Sequence, residues 1–235
     1  MSRDNRIAKI RQIVTNIVLV ILVSIGMYMT MTYRSAWMEF QMRGIMCLRY
    51  FTVQSNLFAG IVALIALFYQ GKPTKVLKFM SATATGLTFA VVALFLGPIY
   101  GYWRMYKRAN LFFHLIVPLI CMIDYILISD APKKMKWKIA CTMLTVAYGF
   151  GYILNILING KGGRYPNNND FYLFLRWGWG AAVLIFAGII LITFGIACML
   201  SFLNSKAGKW YNVSRGNDAE NRASAGGEDG EDRDL

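Results

Sequence analysis

The sequence predicts an all-α integral membrane protein that crosses the bilayer six times, and three observations lead to this class. Hydrophobic residues make up 57% of the 235-residue chain and its mean hydropathy is +0.44, whereas soluble domains are roughly 45–50% apolar. Six windows between Lys and Arg residues are each long enough for the roughly 20 helical residues that cross a hydrocarbon core. These apolar runs are continuous, which excludes a barrel of short alternating strands.

The basic residues set the bounds of the predicted spans, taken in chain order. The first predicted span resembles the apolar part of a secretory signal because four basic residues precede it. It is too long for such a signal and shows no cleavage pattern, so we expect it to remain as an anchor. The six predicted spans are 12–33, 49–70, 78–100, 109–129, 138–159 and 178–203.

The composition changes after the last predicted span. We expect a membrane domain over residues 1–211, followed by a disordered acidic tail over residues 212–235. The tail holds most of the 12 Asp and Glu residues and has no apolar periodicity that a fold could bury. A turn-rich loop over residues 160–170 joins spans five and six, and it either covers a site or only connects the two spans.

The net charge of +13 is explained by membrane topology. Short basic loops contact lipid headgroups and fix orientation, and no basic stripe interleaved with aromatic residues indicates nucleic-acid binding. The basic residues are slightly more numerous on the side that holds the N-terminus, which predicts a cell-membrane protein with both termini in the cytoplasm. The four Cys residues show no CxxC spacing, so we expect no metal, disulfide or cofactor.

Span four carries what we take as the only two ionisable side chains inside the predicted spans, His114 and Asp124. Such groups are functional candidates in a membrane. Pro118 cannot donate to the carbonyl of His114, so we expect the helix to open there. His114 either takes part in chemistry or forms a packing hydrogen bond. For Asp124, a structural alternative is pairing with Lys133, Lys134 or a neighbouring Tyr.

Further polar residues recur at helical spacing in three other spans. In span two, Thr52, Ser55 and Asn56 share one face. Spans two and four run in the same direction. Thr52 lies near the start of span two and His114 near the start of span four, so these two side chains meet if the helices are neighbours. Either a pocket or simple helix packing explains the stripes in spans two and five, and we expect the stripe in span three to join helices. The remaining stripes are Thr145, Tyr148, Gly149, Tyr152, Asn155 and Asn159 in span five, and Ser81, Thr85 and Thr88 in span three.

Two segments resemble the androgen-induced membrane hydrolase family and its bacterial relatives. The segments are YFTVQSN at residues 50–56 and the His114-x-x-x-Pro118 motif that leads to Asp124 and Tyr125. The resemblance implies six spans and hydrolysis of fatty-acid esters by a threonine and a histidine, which match Thr52 and His114. The chain departs from the animal members at Leu111, where they have a second histidine, and its histidine-to-proline spacing is one residue shorter.

These observations lead to three hypotheses. The first is a hydrolase of lipid-like esters in which Thr52 is the nucleophile and His114 the general base. The second is a small-molecule or proton-coupled transporter that uses His114 and Asp124, and the third is an accessory membrane protein whose polar stripes only join helices. In the first hypothesis, the residues expected to bind substrate or the oxyanion are Ser55, Asn56, Asn110, Tyr152 and Asn155.

Overall fold

Six long apolar helices make up the fold of the described part of the chain, as the sequence predicts. The computed structural model describes residues 3–32, 44–128, 131–163 and 168–225, with side chains over 6–32, 44–128, 131–163 and 168–207. Each helix is long and apolar enough to cross a membrane. The bounds are α1 Arg6–Thr32, α2 Phe51–Phe68, α3 Lys72–Tyr100, α4 Ala109–Ile126, α5 Met135–Asn159 and α6 Phe174–Ala207.

Successive helices run antiparallel, so the bundle has two ends. The end where α2, α4 and α6 begin is called the Thr52 end. The end where these helices finish is called the Asp124 end. Short helical turns at Gly44–Arg49 and Tyr102–Met105 lie at the Thr52 end. An isolated bridge between Gly162 and Asn168 closes the loop after α5.

The central helix is α3, which contacts α2, α4, α5 and α6. In its most apolar stretch 56% of the residues are buried, against 22% in α6. A run of small residues from Ser81 to Gly86 is buried on every side, and small side chains let neighbouring backbones approach. Phe79 of α3 stacks on Tyr125 of α4 with a centroid distance of 4.3 Å. The core therefore forms around α3.

The outer faces are apolar, which fits contact with lipid chains. Leu184 and Leu191 of α6 and Ile158 of α5 are each more than two-thirds exposed. A soluble protein rarely leaves such continuous apolar surface in water. Gly149 allows α5 to approach α6, because a Cβ there would lie 1.8 Å from the ring of Phe186. The chain is thus a multi-pass membrane protein in contact with lipid.

Two π-turns interrupt the helices, each just ahead of a proline. They span Val92–Leu96 before Pro98 and Phe112–Ile116 before Pro118. A proline ring clashes with the carbonyl four residues earlier and offers no N–H, and a wider turn accommodates it. The predicted opening of the helix at His114 is therefore present as a π-turn that contains His114.

Several predicted bounds change in the structure. The third span begins at Lys72 and not at residue 78, and the first helix includes Arg6 and Arg11. The helix that contains α6 continues to Ala225, into the segment expected to be disordered, and no proline after Pro166 interrupts it. Residues 226–235 of the expected tail lie outside the described residues, as do 164–167 of the loop between α5 and α6.

Candidate functional site

Helices α2 and α4 are in contact at the Thr52 end, which the catalytic hypothesis requires. The Asn56 Nδ2 atom donates to the Phe113 carbonyl oxygen over 3.0 Å. Val53 of α2 packs with Phe113 and Cys47 in one buried cluster. His114 directly follows Phe113, so the sequence places it beside this contact.

Thr52 lies on the face of α2 that points between α3 and α4. Ser55 reaches Thr88 of α3, with 3.2 Å between their hydroxyl oxygens, while Asn56 reaches Phe113 of α4. Thr52 precedes these two residues by three and four positions, so it shares their face one turn nearer the end. Its side chain is half-buried. Among the described residues, the hydrogen bonds of Thr52 and His114 do not join them to each other.

The ring of His114 is anchored by one of its two nitrogens. The Nδ1 atom lies 3.1 Å from the carbonyl oxygen of Met105. Because a carbonyl only accepts, Nδ1 must carry the proton in this bond, and the neutral ring then has its lone pair on Nε2. The turn at Tyr102–Met105 thus fixes both the orientation and the tautomer of the ring. A neutral imidazole of this tautomer is a proton acceptor.

Asn56 does not have the donor that the oxyanion role requires. Its Nδ2 atom donates to the Thr52 and Phe113 carbonyl oxygens, at 2.8 and 3.0 Å. An amide has two N–H groups, so both are already used. The Oδ1 atom is buried without a hydrogen-bond partner among the described residues. The structure therefore makes Asn56 an acceptor, which corrects its expected role as an oxyanion donor but leaves it suited to a substrate N–H or O–H group.

The other predicted binding residues differ in position. Ser55 Oγ lies 3.1 Å from the Thr52 carbonyl oxygen and also reaches Thr88, so its single hydrogen is already engaged. Asn110 is half-buried at the start of α4, one turn before His114. Asn155 accepts a hydrogen bond from the exposed Asn159 on its own helix. Asn155 therefore interacts along α5, outside the contact between α2 and α4.

The span-five stripe faces the segment that leads into α6. We call residues 168–177, which include the first turn of α6, the cap segment. Tyr152 donates to Asp170 over 2.6 Å, and its ring packs edge-on against Phe171. Tyr148 donates to the Arg49 carbonyl oxygen over 2.5 Å. The loop after α5 thus packs against the bundle through aromatic residues, and Tyr152 belongs to this contact.

Asp170 and Tyr172, which the sequence did not single out, hold the cap segment in place. The Asp170 carboxylate accepts from the backbone N–H groups of Phe174 and Leu175, at 2.9 and 3.1 Å. The Tyr172 hydroxyl accepts from the N–H of Phe51, the first residue of α2, at 2.9 Å. Burial raises the pKa of Tyr172, so its phenol stays neutral at physiological pH. The cap segment therefore contacts the residue next to Thr52.

Asp124 forms an ion pair with Lys78, and this corrects two expectations. The Lys78 Nζ atom lies 2.5 Å from Asp124 Oδ2, and it also donates to Asn16 Oδ1 over 2.8 Å. The expected partners Lys133 and Lys134 are exposed. Lys78 was expected to mark the start of a span, but it lies inside α3 and is buried. Spans three and four therefore share a charged pair, and His114 and Asp124 are not the only ionisable groups within spans.

Two more side chains join helices at the Asp124 end. Asn204 of α6 donates to the carbonyl oxygens of Tyr125, Ile126 and Ile128, all within 3.1 Å. Arg11 of α1 donates to the Leu127 carbonyl oxygen over 2.7 Å. The last carbonyls of a helix have no partner inside the helix, so these two residues satisfy the end of α4. Polar residues at this end thus connect α1, α3, α4 and α6.

The fold and its lipid-facing surface define a polytopic α-helical membrane protein with a polar site at each end. No family model matches the chain, and no curated protein or solved structure matches it. Within the described residues, no group of three or more His, Cys, Asp and Glu side chains is arranged to hold a metal ion. The function is therefore argued from the two sites themselves.

Proposed function

We propose that this protein is a membrane-embedded hydrolase of lipid or fatty-acid esters, with Thr52 as nucleophile and His114 as general base. The observation that carries this proposal is the anchoring of His114 Nδ1 by the Met105 carbonyl, 3.1 Å away. This bond leaves Nε2 as a proton acceptor on a helix that contacts the helix of Thr52. A hydroxyl needs such an adjacent base to become a good nucleophile, and the base needs a third group that orients it.

The proposed reaction proceeds in two acyl-transfer steps. His114 Nε2 takes the proton from Thr52 Oγ1 while that oxygen attacks the ester carbonyl. The bond to the alcohol then breaks, and the imidazolium returns its proton to the departing alkoxide. In the second step His114 removes a proton from water, which attacks the threonyl ester and releases the fatty acid. Thr52 recovers its proton, so the enzyme ends unchanged.

The position of the site suits a lipid substrate. Thr52 is the second residue of α2 and His114 lies in the second turn of α4, both close to one end of the bundle. An ester group near the headgroup region would reach this level while its acyl chain stays in the bilayer. The proposed partners are therefore membrane lipids and an ester that enters sideways between helices. Catalysis needs the hydroxyl and Nε2 to come within about 2.6–3.2 Å when substrate binds.

We further propose that the chain is a distant member of the androgen-induced hydrolase family and lies in the cell membrane with both termini in the cytoplasm. The segments 50–56 and 114–118 support the first part. Basic residues in the first turns of α1 and between α4 and α5 support the orientation. Lys78 does not contribute to this loop charge because it is buried in α3. In this orientation the Thr52 end faces outward.

The carrier hypothesis has less support from the site. His114 and Asp124 are about 15 Å apart along α4, and the buried residues between them include Val117 and Cys121, which belong to the apolar core. Asp124 is also already paired with Lys78. Within the described part of the chain, α4 therefore offers no continuous polar path between the two groups.

Active-site labelling in detergent tests the hydrolase proposal with matched variants. A fluorophosphonate or β-lactone probe is expected to label the wild type and Thr52→Ser, which keeps the hydroxyl. Thr52→Ala removes the nucleophile and is expected to lose labelling. His114→Asn keeps an N–H donor near the position of Nδ1 but lacks Nε2, so it is expected to fold and to lose labelling as His114→Ala does.

Two outcomes of the same experiment would contradict the proposal. A folded wild-type protein that neither reacts with the probes nor hydrolyses a lipid ester panel would exclude the hydrolase. Labelling that persists in Thr52→Ala would place the nucleophile elsewhere. Circular dichroism and gel filtration of each variant show whether a loss of labelling comes from unfolding. Mass spectrometry of the labelled peptide then identifies the modified residue.

A further inference from the structure

A second polar site, which the proposed hydrolysis does not use, lies between α1, α3 and α4 at the Asp124 end. It brings together Asn16, Lys78 and Asp124 from three different helices. All three are at least nine-tenths buried. Burying a charged pair and an amide at this depth is costly unless their remaining hydrogen-bonding atoms find partners.

The orientation of the Asn16 side chain is fixed by its neighbour. Lys78 Nζ has only hydrogens to donate, so the atom it contacts at 2.8 Å must be the amide oxygen. The amide Nδ2 group therefore points to the other side, where it is buried and has no partner among the described residues. The site thus contains a donor with no acceptor.

Asp124 supplies the matching acceptor. Its Oδ2 atom is paired with Lys78, while its Oδ1 atom is buried and has no partner within the described part of the chain. Lys78 donates two hydrogens, to Asn16 and Asp124, and an ammonium group carries three. One cluster therefore contains a donor on Asn16, an acceptor on Asp124 and a third hydrogen on Lys78.

A small cavity lies at this cluster. Its polar lining includes Asn16, Lys78, Ser81 and Asp124, and Ala63 of α2 forms part of the apolar wall. The cavity has a volume of about 10 Å³, which is enough for one water molecule. It is too small for a lipid chain or a metabolite.

We propose that this cavity is a binding site for one internal water molecule, which accepts from Asn16 Nδ2 and donates to Asp124 Oδ1. The third hydrogen of Lys78 and the Ser81 oxygen supply further partners. Buried waters typically make about three such bonds. The water satisfies both unpartnered atoms and makes the ion pair part of a neutral, fully hydrogen-bonded site that joins α1 to α3 and α4. A metal cation fits less well because the Lys78 ammonium already neutralises the carboxylate.

A high-resolution structure of the full chain tests the proposal directly. In a map that resolves ordered waters elsewhere in the bundle, we expect a peak within hydrogen-bond distance of both Asn16 Nδ2 and Asp124 Oδ1. A map of that quality without the peak overturns the proposal. A peak that contacts Asp124 Oδ1 but not the Asn16 N–H leaves Asn16 Nδ2 without an acceptor and also overturns it.

Two substitutions at Ala63 provide an independent test. Ala63→Ser places a hydroxyl where the water lies and is expected to keep the melting temperature near that of the wild type. Ala63→Val expels the water and gives no hydrogen bond in return, so its melting temperature is expected to fall clearly below that of Ala63→Ser. The matched pair Ala66→Ser and Ala66→Val controls for side-chain size, because Ala66 is buried one turn further along α2 and lies outside the cavity lining.

At Ala66 we expect the serine variant to have no higher melting temperature than the valine variant. If Ala63→Val proves at least as stable as Ala63→Ser, the cavity is dry and the proposal is wrong. If Ala63→Val fails to fold, comparison of the wild-type and Ala63→Ser maps still decides. The serine hydroxyl should then replace the water peak between the same two atoms.

Discussion

The two ends of the bundle hold their polar residues in different ways. At the Asp124 end, a charged pair and two further side chains connect four helices. At the Thr52 end, the contacts of α2 and α4 are made by neutral groups: Asn56 and His114 bind backbone carbonyls. A buried charge that loses its partner costs far more than a neutral group does. The Asp124 end is therefore the more costly one to disrupt.

Among the described residues, both ends keep hydrogen-bonding atoms without a partner. Those at the Asp124 end line a cavity with room for one water, whereas those at the Thr52 end lie where the ester is proposed to bind. His114 Nε2 and Asn56 Oδ1 are both acceptors beside the contact of α2 with α4. Active sites need such groups, because a substrate must find partners there. We infer that one end mainly stabilises the helix arrangement and the other carries the chemistry. Substitutions at the two ends should therefore affect stability and activity differently.

The largest effect is expected when the ion pair is broken. Lys78→Met leaves Asp124 buried without its partner and should lower the free energy of unfolding by about 3–5 kcal/mol. The double variant Lys78→Met with Asp124→Leu removes both charges and should recover most of this loss. Unfolding in detergent followed by circular dichroism measures both. Lys133→Met, at an exposed lysine, is the control and should change little.

Probe labelling of the same variants tests the separation of roles. Folded Lys78→Met protein should still react at Thr52, since His114 lies about 15 Å along α4 from Asp124. Labelling that is lost in well-folded Lys78→Met or in the double variant would show that the two ends are coupled. The division into a stabilising end and a reactive end would then be wrong.

The next largest effect is expected at Asp170, the charged residue of the cap segment. Asp170→Ala removes the acceptor of the Tyr152 hydroxyl and of two backbone N–H groups. Each hydrogen bond to a charged group contributes about 1.5–3 kcal/mol. The three are not additive, because the groups released together can bond water, so we expect a net loss of about 3 kcal/mol. Hydrogen exchange should increase over residues 168–177. Asp170→Asn keeps one carbonyl oxygen and should have a smaller effect; equal effects would mean that the carboxylate charge is essential.

Asn204 provides a neutral comparison at the Asp124 end. Asn204→Leu has a similar volume but cannot bind the carbonyls of Tyr125, Ile126 and Ile128. Leaving these buried acceptors unsatisfied should cost about 1–3 kcal/mol, which is at most the lower end of the loss expected for the ion pair. Thermal unfolding beside Ser205→Ala, a neighbouring residue that bonds only its own helix, measures the difference. If Asn204→Leu unfolds at the same temperature as the wild type, water replaces the amide at these carbonyls.

The sequence predicted the six helices because bilayer thickness imposes a length and an apolar composition on every span. It also predicted the irregular turn at His114, since the proline effect is local. The same rule of charge-free spans misplaced Lys78, because it treats every lysine as a loop residue. A buried lysine can be predicted only if its partner is known, and Asp124 lies on a different helix.

The candidate site was predictable only in part, for the same reason. Helical spacing placed Thr52, Ser55 and Asn56 on one face, and the structure keeps them there. Which atoms of Asn56 remain unused depends on the Phe113 carbonyl, which no spacing rule identifies. The contact of Tyr172 with Phe51 joins residues separated by 121 positions, and loop aromatic residues carry no periodic signal. Local patterns therefore predicted helices and faces, while contacts between helices required the structure.

The smallest effect is expected at Tyr172, where one neutral hydrogen bond joins the cap segment to α2. Tyr172→Phe keeps the ring but removes the acceptor of the Phe51 N–H, which should cost about 0.5–1.5 kcal/mol. The amide of Phe51 should then exchange faster, and hydrogen exchange measured by NMR reports it. Tyr106→Phe, at a half-buried phenol between α3 and α4, serves as the control.

The pH dependence of this contact gives the sharpest version of the prediction. Burial raises the pKa of Tyr172 above its usual value, which is about 10 in the unfolded chain. The folded state therefore favours the neutral phenol. The contribution of Tyr172 to the free energy of unfolding is constant below about pH 10 and is lost as pH rises through the folded pKa. The stability difference between wild type and Tyr172→Phe should thus stay constant from about pH 7 to 9 and change only above about pH 10. An exposed phenol would have the same pKa in the folded and unfolded states. A difference that stays constant above pH 10 would therefore mean that the phenol is not buried, and the cap segment would then not hold the start of α2.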